Sequence, residues 1–123
     1  MSDLNFIILY VDNPTASSQF YQRILGHEPL ESSPTFVMFA LKSGPMLGLW
    51  SKHTVEPAAQ SAVGGGELAF ALSDRKELQT LYGKWQSQGL PIIQTPTDMD
   101  FGHTFVALDP DGHRLRAFVP GVA

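Results

Sequence analysis

The stretch FGHTFVALDPDGHRLRAFVP, residues 101–120, sets two guanidinium groups, Arg114 and Arg116, in alternation with Leu115 and Ala117. Alternate side chains of a strand share a face. Both arginines therefore look one way, where they must be solvated, paired or aimed at a ligand. The four histidines are scattered. His27 follows Gly26 at a helix end and His113 sits beside the Asp109-Pro110-Asp111-Gly112 turn, both surroundings of solvated surface residues, while His53 stands at the start of a polar stretch. His103 opens a strand after Phe101-Gly102, and two readings of it stand: a polar contact to a ligand, or a strand-end residue packing on its neighbour. The chain has no cysteine, which excludes thiolate chemistry and disulfides. Serine, histidine and aspartate are present, but no G-x-S-x-G exists to seat a serine nucleophile. Gly64-Gly65-Gly66 precedes a strand rather than a helix, so it is not a phosphate-cradling loop. No catalytic constellation emerges.

The elements that must position these residues follow a repeated order. Asn5 to Val11 is a β-branched and aromatic run, read as a buried strand. Asp12-Asn13-Pro14-Thr15 offers capping side chains and a proline suited to a first helical turn; Ala16, Phe20, Ile24 and Leu25 then recur at helical spacing, and Gly26 supplies the stop. Phe36–Leu41 and Met46–Trp50 read as strands joined through Lys42-Ser43-Gly44-Pro45, with a weaker strand near Glu28–Glu31. The polar, glycine-rich SKHTVEPAAQSAVGGG, residues 51–66, reads as a linker. The pattern then restarts. Glu67–Leu72 is a strand, Ser73-Asp74 can cap a helix, and Leu78, Leu81, Tyr82 and Trp85 form its apolar stripe, ended by Gly89. Ile92–Gln94, His103–Leu108 and Arg114–Val119 supply three further strands. Phe6 and Glu67 each stand seven residues before a capping residue, Asn13 or Asp74. The order β-α-β-β-β, linker, β-α-β-β-β points to an internal duplication. The expected organisation is one domain over 1–123, with module one at 4–50, the linker at 51–66 and module two at 67–119.

Bulk properties narrow the function classes. With 123 residues, 43% of them hydrophobic and 16% charged, the chain is of globular type and can bury one core. A net charge of −4 and a pI near 5.4 argue against a nucleic-acid partner. The longest apolar run, Phe6 to Val11, is far short of the ~20 residues of a membrane span. MSDLN lacks the basic and apolar regions of a signal peptide, so a cytoplasmic location is expected.

The two βαβββ modules, the helix segment VDNPTASSQFYQRILGHEP and the closing DPDGHRLRAF together resemble the vicinal oxygen chelate superfamily, which holds glyoxalases, extradiol dioxygenases and bleomycin-resistance proteins. The resemblance covers essentially the whole chain. It implies an α+β fold in which two βαβββ modules form a curved mixed β-sheet cradle with helices on the outside, usually dimeric. LGLWSKH and FGHTFVALDPDGHRLR look most like its antibiotic-binding branch, where phenazine resistance belongs.

Enzymes of that superfamily hold a divalent ion on the concave face, from the first and last strand of each module. Carried over residue by residue, those positions fall on Phe6, Gly48, Glu67 and Arg116. Phenylalanine and glycine offer no ligand atom, and arginine has no acceptor. One carboxylate cannot hold an ion, so no metal and no cofactor are expected. Arg116 should instead pair with Glu67 as a neutral substitute for the ion. In the same register Phe6, Ile8 and Tyr10 are concave, with Met46, Gly48 and Trp50, and with Arg114, Arg116 and Phe118; Ile7, Leu9 and Val11 pack under the helices. Gly48 leaves floor space for a ring, and Thr97-Asp98-Met99-Asp100-Phe101 forms a rim. Aromatic side chains and methionine around a few polar groups suit a flat, apolar molecule.

The resulting expectation is a metal-independent, non-catalytic homodimer that sequesters a planar aromatic compound such as an antibiotic. Its ligand-binding residues are Trp50, Phe6, Tyr10, Met46, Gly48, Glu67, Phe101, His103, Arg116 and Phe118, with Trp85 in the core. The alternative is a divalent-metal-dependent enzyme of the glyoxalase or dioxygenase type. A housekeeping domain with a degenerate pocket is a third possibility.

Overall fold

The computed structural model describes residues 3–121. Two compact units divide the chain, one ending at Ser61 and the other beginning at Ala62. The first holds β1 (Phe6–Val11), α1 (Pro14–Leu25), β2 (Glu31–Ser32), β3 (Phe36–Ala40) and β4 (Met46–Ser51); the second holds β5 (Glu67–Ala71), α2 (Arg75–Ser87), β6 (Ile92–Met99), β7 (Gly102–Leu108) and β8 (Arg114–Pro120). Each is a βαβββ module, and the repeated order expected of the sequence is present. The fold class is α+β, with one four-stranded mixed sheet per module. No helix among the described residues is long and apolar enough to cross a membrane.

The sheet of the first module runs β1-β4-β3-β2 and that of the second β5-β8-β7-β6. In both, the first strand pairs in parallel with the last, and the remaining pairs are antiparallel. The helix in each module is what allows the parallel return, because a parallel pair needs a long crossover connection. Both helices start where their caps dictate. Asn13 is extended and its side chain accepts from the Ala16 amide at 3.1 Å, with proline in the first turn behind it. Asp74 does the same for the Glu77 amide at 2.8 Å. Such a cap contributes about 1 kcal/mol. Gly26 at φ 79° closes α1 in the left-handed conformation that favours glycine.

Register sorts the side chains of each sheet into two faces. In the first module Leu47, Leu49, Val37 and Phe39 are buried on the face that receives Phe20 and Tyr21 of α1. In the second, Phe70, Phe105, Leu115 and Ala117 lie under α2, where Trp85 meets the rings of Phe70 and Phe105 at 5.6 and 5.4 Å and Tyr82 meets Phe105 at 5.2 Å. Trp85 is 1% exposed and is a core residue, as expected.

Four expectations need correcting. The second strand of the second module does not stop at Gln94 but runs to Met99, so Thr97, Asp98 and Met99 belong to a strand and only Asp100 and Phe101 turn the corner. Pro96 disguised it. The proline sits where the β6–β7 register shifts, on an edge strand, so its missing N–H breaks no ladder. The weak strand expected at Glu28–Glu31 is the two-residue Glu31–Ser32. Residues 51–66 are not uniformly linker, since Ser51 ends β4 and Val55 is buried, its amide bonded to the Ser51 carbonyl. Finally, of the three β1 residues assigned to the helix side, Val11 is buried, Leu9 half-buried and Ile7 39% exposed. The reason is that β1 is an edge strand, while α1 packs over β3 and β4.

Candidate ligand-binding site

In the second module β5 and β8 run in parallel with Glu67 opposite Arg114 and Ala69 opposite Arg116, so Glu67, Arg114, Arg116 and Phe118 share the face away from α2. Arg116 reaches diagonally to Glu67. Its Nε donates to one carboxylate oxygen at 2.5 Å and a terminal nitrogen donates to the other at 3.1 Å. The other terminal nitrogen donates to Gln94 Oε1 at 3.2 Å and to Thr104 Oγ1 at 3.1 Å. Thr104 is fully buried and passes its own hydroxyl proton to the Ala117 carbonyl at 2.9 Å. Above the guanidinium lies Phe101, its ring centroid 5.6 Å from the Arg116 carbon, and Phe101 in turn meets Phe118 edge-on at 6.0 Å.

Each nitrogen of Arg116 thus has an acceptor, and both oxygens of Glu67 are taken. The Glu67–Arg116 pair expected of the sequence is present with the fork geometry that strengthens such pairs. Arg116 holds the Glu67 carboxyl below its ordinary value, first through the hydrogen bond and then through charge; Arg114 adds to the lowering, and partial burial opposes it. Sequence reasoning missed Gln94 and Thr104 as partners. Thr104 was accessible through alternation along β7, whereas Gln94 was not, because the irregular register of β6 decides which face it takes.

In the first module Phe6, Ile8 and Tyr10 stand opposite Met46, Gly48 and Trp50, which in turn stand opposite Ala40, Met38 and Phe36. All share the face away from α1. Phe6 and Tyr10 are 42% and 43% exposed, while Met46 and Trp50 are half-buried. Trp50 meets Phe36 edge-on at 6.0 Å. The floor above Gly48 is not open. A Cβ placed there would come within 2.8 Å of the Phe36 ring and 3.1 Å of the Phe6 ring. The floor expected to stay open for a ligand's ring is filled by the chain's own rings, because Phe36 and Phe6 lie diagonal to Gly48 in the register.

His103 does not join the Arg116 group. It lies opposite Val119, on the α2 side of the sheet, with its side chain 12% exposed. Its Nδ1 donates to Asp98 at 2.9 Å, and Arg75 donates to the same oxygen at 2.6 Å. The His103 hydrogen bond is the main cause of the lowered Asp98 pKa, with Arg75 adding charge and a hydrogen bond. In the first module His53 likewise donates to Asp12 at 2.7 Å and holds its carboxyl low, fastening the start of the polar stretch to the end of β1.

A divalent ion, which the fold family implies, does not fit these residues. Glu67 has both oxygens engaged by a cation, Arg116 has no lone pair to offer, Phe6 has no donor atom, and the space over Gly48 holds carbon. Among the described residues no group of three or more histidine, cysteine or acidic side chains could hold a metal ion.

The fold and these residues now have a family. Residues 3–117 match the Glyoxalase/Bleomycin resistance protein/Dioxygenase superfamily, and the chain belongs to it. Among its relatives, the phenazine antibiotic resistance protein EhpR of Enterobacter agglomerans is 30% identical over 115 residues, spanning 91% of this chain and 88% of that protein. The solution NMR structure of protein ATC0852 from Agrobacterium tumefaciens is 50% identical with a TM-score of 0.90, over 98% of this chain and 99% of that one. A glyoxalase-related enzyme from Fulvimarina pelagi shares the fold, with a TM-score of 0.84 at 19% identity, covering 100% of this chain and 98% of its own.

Proposed function

We propose that the protein is a metal-independent, non-catalytic binder that sequesters a planar aromatic compound, of the antibiotic kind that the resistance relative handles. The observation that carries this reading is the Glu67–Arg116 pair, which consumes the one carboxylate of the four positions where metal-dependent members of the superfamily place ligands. The aromatic face of the first module supplies the stacking surface. Trp50 is its anchor, half-buried, braced by Phe36 and opposite Tyr10, on the face it shares with Phe6 and Met46. Offset stacking on such a ring contributes roughly 0.5–1.5 kcal/mol beyond area burial. Within the second module, Phe101 lies over the Arg116 guanidinium and meets Phe118 edge-on. The two modules act as one domain, which a single family match across 3–117 supports. The reading includes a homodimer in the cytoplasm.

Elemental analysis and titration calorimetry on the same preparation test it. The expected result is no stoichiometric Zn, Ni, Mn or Fe and saturable binding of phenazine. Trp50→Ala weakens that binding by about 1–3 kcal/mol, the range for loss of a central aromatic anchor. One divalent ion per chain, with binding lost on chelation, overturns the reading in favour of a metalloenzyme.

A further inference from the structure

Arg116 is spent, but Arg114 is not. The two lie two residues apart on β8 and share the face away from α2. Arg114 stands directly opposite Glu67, yet both Glu67 oxygens are already taken by Arg116. Arg114 is exposed, and among the described residues it forms no ion pair. The other residues that register places on this face include Ala69 and Ala71 of β5, Thr104, Val106 and Leu108 of β7 and Gln94, Thr97 and Met99 of β6, none of them charged. With one carboxylate against two guanidinium groups, this face of an otherwise acidic chain carries one uncompensated positive charge. Its field already reaches Glu67, whose pKa Arg114 helps to lower.

The apolar end of the same face is Phe118, four residues along β8 from Arg114 and in contact with Phe101. At roughly 3.3 Å per residue the two Cα atoms are about 13 Å apart. Arg116 and the Phe101 ring above it occupy the middle of that span, so a two- or three-ring system whose acidic substituent reaches Arg114 rests on the exposed ring of Phe101, which is 45% exposed. We infer that Arg114 is a specificity residue: it selects aromatic ligands that bear a carboxylate, pairing with that group while the rings rest toward Phe118. The inference rests on the binding function proposed above and adds the ligand's charge to it. Arg116 cannot play this part, since a ligand carboxylate would have to displace Glu67.

The probes are phenazine-1-carboxylate and phenazine-1-carboxamide, which share a ring system and differ in charge. The wild-type protein binds the carboxylate more tightly than the amide, by about two- to fivefold, as an exposed ion pair allows. The preference shrinks as salt is raised. Arg114→Gln brings the ratio to about one, and Arg114→Lys restores part of it. Equal affinity for the two probes in the wild type, or a preference that survives in Arg114→Gln, overturns the inference while leaving the binding function standing. Binding of neither probe overturns the binding function, and the inference falls with it.

Discussion

Arg116 connects the sequence of this protein most directly to its site. A guanidinium with four polar acceptors on Glu67, Gln94 and Thr104, and an aromatic ring above it, is a structural centre rather than a free recognition group. Arg116→Ala leaves Glu67 and Thr104 without their donor and lowers stability at pH 7 by about 1–3 kcal/mol, measured by denaturant unfolding. The effect depends on pH with a definite sign. The folded-state pKa of Glu67 lies below its ordinary 4.5, so the pair's contribution is fully present above that value and is lost as the pH falls through the lowered one. The stability gap between wild type and Arg116→Ala therefore narrows below about pH 4.5; a gap that widens there contradicts the pairing. This pair was legible in the sequence because only two charged residues map to the inherited metal positions, and they are opposite in sign. Of its further partners, Thr104 was accessible through alternation along β7, but Gln94 was hidden, since its face depends on where β6 shifts register around Pro96.

Elements were legible where local chemistry fixes them. Asn13-Pro14, Gly26, Asp74 and Gly89 bound both helices, and the alternation of FVMFA and RLRAF marks strands whose faces register then confirms. Two of the features that escaped share one reason. The continuation of β6 through Pro96 and the filling of the space over Gly48 by Phe36 are both set by cross-strand neighbours, which a linear pattern does not contain. The β6–β7 corner shows how tightly such neighbours act. Gly102 is at φ 146°, in the left-handed half of conformational space, and a Cβ there would run into the Val119 carbonyl of β8. The Gly121 amide also donates to the Phe101 carbonyl at 3.2 Å. Gly102→Ala should lower the thermal midpoint, with a loss of about 1–3 kcal/mol from the strained backbone. It should also loosen Phe101 from Arg116 and Phe118. A variant as stable as wild type contradicts the close packing of β7 on β8 at this corner.

For the whole molecule, the exposed strand β1 bears on assembly. Among the described residues this strand pairs with β4 alone, and Phe6, Ile7, Ile8 and Tyr10 expose 39–43% of their surface on both of its faces. An apolar edge strand left uncovered is an aggregation hazard, so the homodimer proposed above should appear in light scattering at about 27 kDa, twice the 13.5 kDa of the chain. A clean monomer that still binds ligand contradicts it. Capture without a metal is the larger claim, and the two tryptophans make it measurable, because Trp85 is 1% exposed in the core and Trp50 is half-buried on the aromatic face. The most direct measurement is tryptophan fluorescence during titration with phenazine, on protein stripped of metal with a chelator. The account predicts strong quenching that chelation leaves intact, that persists in Trp85→Phe and that largely disappears in Trp50→Ala. Quenching that follows Trp85, or that returns only when a divalent ion is added back, contradicts it.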